Sequence, residues 1–147
     1  MNRHLTLGFI RFILFSYSCG SGPGNTAVRV PDGNTVILVG ATDFAALRTA
    51  PFSDWFNSGY TGFTPDPENV ETLKPLLEDV EIVVYLGTWC EDSHREIPKF
   101  VKLLKATEYP LEMVDVIAMT RDKTTPQNYE AGLDITNIPT FIFYKDG

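Results

Sequence analysis

The chain has 147 residues, 44% of them hydrophobic and 21% charged, enough for one domain with a real core and too apolar for general disorder. Its formal net charge of −7 argues against nucleic acid as a partner, because phosphate binding needs a basic patch that no stretch of the sequence supplies. Two cysteines and two histidines provide neither a disulfide framework nor zinc-type ligand spacing, so no metal and no cofactor is expected.

Residues 1–18 read as a targeting segment: Arg3 and His4, an apolar run over residues 5–15, then small residues before Cys19. The run is too short to span a bilayer as a helix. Ser16-Tyr17-Ser18-Cys19 resembles a loose bacterial lipobox, which implies lipidation at Cys19 and a lipoprotein anchored in the cell envelope. Arg11 and Ser16 depart from that pattern, and the alternatives are an ordinary N-terminal strand or helix, or a misassigned start upstream. Removing the segment takes away Arg3 and Arg11 and no acid, leaving ten basic against nineteen acidic side chains. Residues 19–26, rich in glycine and serine, read as a flexible tether, and residues 27–147 as the folded domain.

Residues 27–30 and 35–39 are short β-branched runs around Pro31-Asp32-Gly33-Asn34, the signal of a hairpin at a sheet edge. A short helix is expected over 42–50, opened by Thr42 or Asp43. Residues 51–63 hold Phe52, Trp55, Phe56, Tyr60 and Phe63. They suit a packed covering of the sheet, or else an apolar rim for peptide-like partners. Asp66-Pro67-Glu68 opens a helix whose face continues through Val70, Leu73, Leu77 and Val80, with Pro75 set to split it.

The stretch with chemistry in it follows. Ile82-Val83-Val84-Tyr85-Leu86 is a continuous apolar run, as in a strand covered on both faces. Beyond the Gly87-Thr88 turn, Ile97, Phe100, Val101 and Leu104 recur at helical spacing. Cys90 therefore sits at a helix start, where unpaired amides and the dipole favour a thiolate. The alternative is a small buried filler. A strand over 111–119 then makes a βαβ unit with parallel pairing and a right-handed connection. A short helix is expected from Thr125-Pro126 to Gly132, and a last strand over 140–144.

Trp89-Cys90-Glu91-Asp92-Ser93 resembles the Trp-Cys-x-x-Cys active-site turn of the thioredoxin superfamily, with serine at the second cysteine. Pro98 matches the proline that kinks the active-site helix of that family, and Ile138-Pro139-Thr140 is similar to its cis-proline loop. The resemblance covers residues 81–147. It implies an α/β fold of thioredoxin type, a mixed sheet sandwiched by helices, here with an N-terminal extension. Members continue past the Lys145-Asp146-Gly147 turn into a strand and a helix, so a truncated C-terminus is expected. The resemblance also implies thiol–disulfide exchange, with Cys90 as nucleophile and Trp89, Ile138, Pro139 and Thr140 contacting the substrate. Protein or small-molecule thiols and disulfides would be the partners. Val84 stands where dithiol members carry a buried aspartate. Ser93 cannot resolve a mixed disulfide, so its expected role is a hydrogen bond to the Cys90 thiolate. With Cys19 lipidated, the site is monothiol. His94 and Arg95 would favour the thiolate if they face it, while Glu91 and Asp92 oppose it. A non-catalytic binding module is the other reading of the same residues.

Overall fold

The structure is a computed structural model that describes residues 23–146. The targeting segment and the Cys19 lipidation site lie outside the described residues. The described residues form an α/β arrangement of five strands and three helices. These are β1 (Val28–Asp32), β2 (Thr35–Thr42), α1 (Ser53–Gly62), α2 (Pro67–Leu73), β3 (Val80–Leu86), α3 (Glu91–Ala106), β4 (Val114–Ala118) and β5 (Thr140–Lys145). The sheet is mixed, in the order β1-β2-β4-β3-β5. Among the described residues only β3 and β4 pair parallel, joined by α3 as the sequence pattern predicts. β1–β2, β2–β4 and β3–β5 pair antiparallel.

The β1–β2 hairpin turns on Gly33-Asn34, with Asp32 opposite Thr35. Gly33 has φ +63°, the value that favours glycine at the first position of a two-residue turn. Pro31 lies within the edge strand β1, where a missing N–H is tolerated. β2 runs on to Thr42, so the expected helix over 42–50 shrinks to one 3₁₀ turn at Ala46–Arg48. Asp43 Oδ1 accepts from the Ala46 amide at 2.8 Å and holds that turn.

The aromatic stretch becomes α1, with Phe56 fully buried, which favours the packed covering over the exposed rim. Asp66 caps α2 by accepting from the Glu68 amide at 3.2 Å, and Pro75 converts the next turn to 3₁₀. Val80 opens β3 instead of continuing the helix face.

β3 alternates its side chains between two cores. Ile82, Val84 and Leu86 face α1 and α3, where Phe56, Ile97, Val101 and Leu104 complete a cluster of fully buried side chains. Each such side chain contributes roughly 1.5–3 kcal/mol. Two helices approach closely here: a Cβ on Gly59 of α1 would lie 2.9 Å from Pro98 Cγ of α3. Tyr85, Ile117, Ala41, Met119 and Ile138 form the second core on the other face.

The two faces of the sheet are covered differently. Among the described residues, α1 and α3 pack on one face, and the other is covered by the irregular stretch 119–139, through Tyr129 and Ile135. The helix expected from Thr125 to Gly132 does not form. The Thr125 hydroxyl donates to Glu130 Oε2 at 2.6 Å and accepts from the Tyr129 amide at 2.9 Å. Asn128 at φ +54° and Gly132 at φ +79° then turn the chain left-handed. The Tyr85 hydroxyl donates to the Tyr129 carbonyl at 2.6 Å and pins the stretch to the sheet. Asp115 shares this face with Ile117, and burial together with the Glu81 charge pushes its carboxyl above the usual range.

Candidate functional site

The C-terminal ends of the parallel strands β3 and β4 bring the expected residues together. Cys90 is the N-cap of α3, extended at φ −97°, ψ 123°. Its amide donates to the Gly87 carbonyl at 3.0 Å, and its carbonyl accepts from the His94 amide at 3.0 Å, the first helical bond. Its thiol caps no helix amide and instead donates to the Ile138 carbonyl at 3.5 Å. The Ile138–Pro139 peptide bond is cis. Thus two segments 48 residues apart meet at the sulfur. Cys90 is half-buried, and it is a free thiol. Pro139 and Thr140 are half-buried beside Ile138, with the Thr140 hydroxyl donating to the Asn137 carbonyl at 2.6 Å.

Ser93 does not do what the sequence predicts. It is fully buried, and its Oγ accepts from the Gly87 amide at 3.2 Å, with no hydrogen bond to Cys90. The hydroxyl satisfies the strand-ending amide of Gly87, which would otherwise be buried without a partner. Its role is therefore to fix the turn beneath the sulfur.

Trp89 is likewise less available than expected. Its Nε1–H donates to the Met119 carbonyl at 3.0 Å, and the Arg121 guanidinium lies 5.0 Å from the ring centroid. Arg121 is itself held by Asp32 at the tip of the β1–β2 hairpin, through Nε to Oδ1 at 3.0 Å and Nη2 to Oδ2 at 2.8 Å. The hydrogen bonds and charge of Arg121 hold the Asp32 carboxyl below its usual range. Nothing in the sequence signals this pair, whose members are 89 residues apart. Trp89 packs so close to Gly87 that a Cβ there would lie 2.8 Å from its Cε2 and 2.7 Å from Ile138 Cδ1. The glycine is needed for the approach, although the sequence marks it only as the end of a strand.

The flanking basic side chains are committed elsewhere. The His94 ring stacks on Trp55 with centroids 4.3 Å apart. Its Nε2 meets the Thr88 carbonyl at 2.8 Å, which requires the proton on that nitrogen. Arg95 pairs with Asp92 at 2.7 Å and with Glu96 at 2.6 Å. Glu91 is exposed and has no ion-pair partner among the described residues. Thr88 is buried and ties the turn to β2 by accepting from the Leu38 amide at 3.0 Å.

A cleft of about 680 Å³ lies at the opposite end of the sheet, lined by residues including Val80, Glu81, Tyr109 and Met113, and holds none of these side chains. Among the described residues no three His, Cys, Asp or Glu side chains come together as a metal site. No family model, curated protein or solved structure matches the chain.

Proposed function

We propose that this protein carries out monothiol thiol–disulfide exchange at Cys90, on an α/β scaffold of thioredoxin type. The observation that carries the reading is the meeting of Cys90 Sγ with the Ile138 carbonyl. The two motifs that resemble the thioredoxin superfamily, far apart in sequence, converge on one sulfur at a helix start. The parallel β3–α3–β4 unit beneath that sulfur supports the same reading.

In the thiol form the S–H of Cys90 donates to the Ile138 carbonyl. On ionisation that carbonyl becomes a repulsive neighbour, and Sγ turns to the free amides of the first turn of α3. The thiolate attacks one sulfur of a partner disulfide. A Sγ–S bond forms, the partner's S–S bond breaks, and the electron pair leaves on the departing thiolate, which takes up a proton from solvent. The described chain holds no second thiol, so an external thiol, as thiolate, attacks the mixed disulfide and releases Cys90. Ile138, Pro139 and Thr140 line the approach, and Trp89 is its wall. The proposal includes a place in the bacterial cell envelope, with membrane attachment through a lipid on Cys19.

A non-catalytic binding module is favoured by one observation: the thiol is hydrogen-bonded to a carbonyl and receives nothing from Ser93. The test is the reaction of the full chain carrying Cys19→Ser with the neutral disulfide 4,4′-dithiodipyridine, against 2-mercaptoethanol as the reference thiol. Exchange predicts a rate per thiol above the reference in the folded protein. Reaction only after denaturation would leave the binding module.

A further inference from the structure

The cations at this site are neutralised by design of the fold. Arg121 lies over the Trp89 wall, but a hairpin tip from a distant part of the chain delivers Asp32 to it in two-point contact. Arg95, on the turn after Cys90, is divided between Asp92 and Glu96, and Lys99 adds a contact to Glu96 at 3.6 Å. The neighbours Asp122 and Lys123 carry one charge of each sign. What stays without an ion-pair partner among the described residues is Glu91, which directly follows Cys90 and is exposed in the first turn of α3. Over the residues beyond the N-terminal segment, ten basic side chains face nineteen acidic ones, so the longer-range field has the same sign.

We infer that the Cys90 site selects disulfides flanked by positive charge, such as basic peptide segments, and disfavours anionic small disulfides. The inference rests on the exchange reading above and names its substrate class. An anionic partner meets Glu91 and the net field, and neither Arg121 nor Arg95 has a charge to spare for it. A cationic partner gains from both, and reaction with it also lets the departing thiolate leave with its charge compensated.

The experiment compares three disulfides on the full chain carrying Cys19→Ser, at pH 8 and low salt. They are cystamine, a dication; 4,4′-dithiodipyridine, neutral; and 5,5′-dithiobis(2-nitrobenzoate), a dianion. Each rate is divided by that of 2-mercaptoethanol with the same probe, which removes the intrinsic reactivity of the disulfide. The expected result is a cation-over-anion preference of about tenfold that falls to within about twofold at 0.5 M salt. Glu91→Gln should lower the preference about threefold. Asp32→Asn should also lower it, by releasing the charge of Arg121. Equal normalised rates for all three probes would overturn the inference and leave exchange standing. A preference unchanged in both variants would overturn it too. Failure of Cys90 to react with any probe while the protein is folded would remove the exchange reading, and the inference with it.

Discussion

Gly87→Ala tests the geometry that brings the site together. The new Cβ would lie 2.7 Å from Ile138 Cδ1, 2.8 Å from Trp89 Cε2 and 2.9 Å from Trp89 Nε1, all shorter than real Cβ contacts. Neither neighbour is a free side-chain tip. Ile138 is buried, and Trp89 is held at one end by the Met119 carbonyl and on its face by Arg121. Overpacking of this kind costs about 1–3 kcal/mol, and loss of the indole hydrogen bond adds about 1 kcal/mol. The expected destabilisation is therefore about 2–4 kcal/mol. With a urea m-value of about 1–3 kcal/mol/M for a domain of this size, the midpoint should fall by about 1–2 M. The assay is equilibrium urea unfolding followed by tryptophan fluorescence. Adding Ile138→Val, which deletes the clashing Cδ1, should recover part of the loss, and the double variant should be more stable than the two single losses sum to. A midpoint for Gly87→Ala within about 0.2 M of the parent would refute the packing described for the turn.

Ser93→Ala strips the partner from the buried Gly87 amide and should cost about 1–3 kcal/mol in urea unfolding. Because Ser93 does not bond Cys90, the rate of Cys90 alkylation in the folded variant should match the parent, and a slowed rate would restore the direct Ser93–Cys90 role. Asp115 has a folded carboxyl pKa raised by burial and Glu81, so the folded state holds its proton more tightly than the unfolded one. Stability should fall as pH rises from the ordinary carboxylate range through the raised folded value. Asp115→Asn should therefore be the more stable protein at pH 7 and match the parent in acid, as read by thermal melts at each pH. The Asp32 carboxyl is shifted the other way, so its contribution is present above the ordinary carboxylate value and is lost as pH falls through the depressed folded one. Fluorescence of Trp89 should change in that acid window in the parent and not in Asp32→Asn.

The elements whose stability is local were the legible ones. The apolar β-branched run of β3 and the helical spacing of Ile97, Val101 and Leu104 each specify one periodicity, and both elements form with the expected faces buried. Asp66 caps and Pro75 breaks a helix for reasons confined to a few residues. Where side chains bind backbone in competition with a helix, the pattern misleads: Thr125 and Glu130 hold each other, and 125–132 stays irregular. The meeting of Cys90 with Ile138 could be expected from resemblance but not from spacing. The partner of Ser93 is not legible because a sequence shows the helical neighbour, Cys90, and hides the amide of Gly87 that the strand end leaves unpaired. The Asp32–Arg121 clamp and the Trp55–His94 stack depend on tertiary approach alone and leave no local trace.

The most direct test of exchange at Cys90 is turnover. The full chain carrying Cys19→Ser, at catalytic concentration, is added to cystamine and 2-mercaptoethanol at pH 7, and mixed-disulfide formation is followed by proton NMR. Exchange predicts a rate above the uncatalysed reaction that scales with protein and disappears in the added Cys90→Ser variant. A rate equal to the uncatalysed one, with the protein folded, would contradict it.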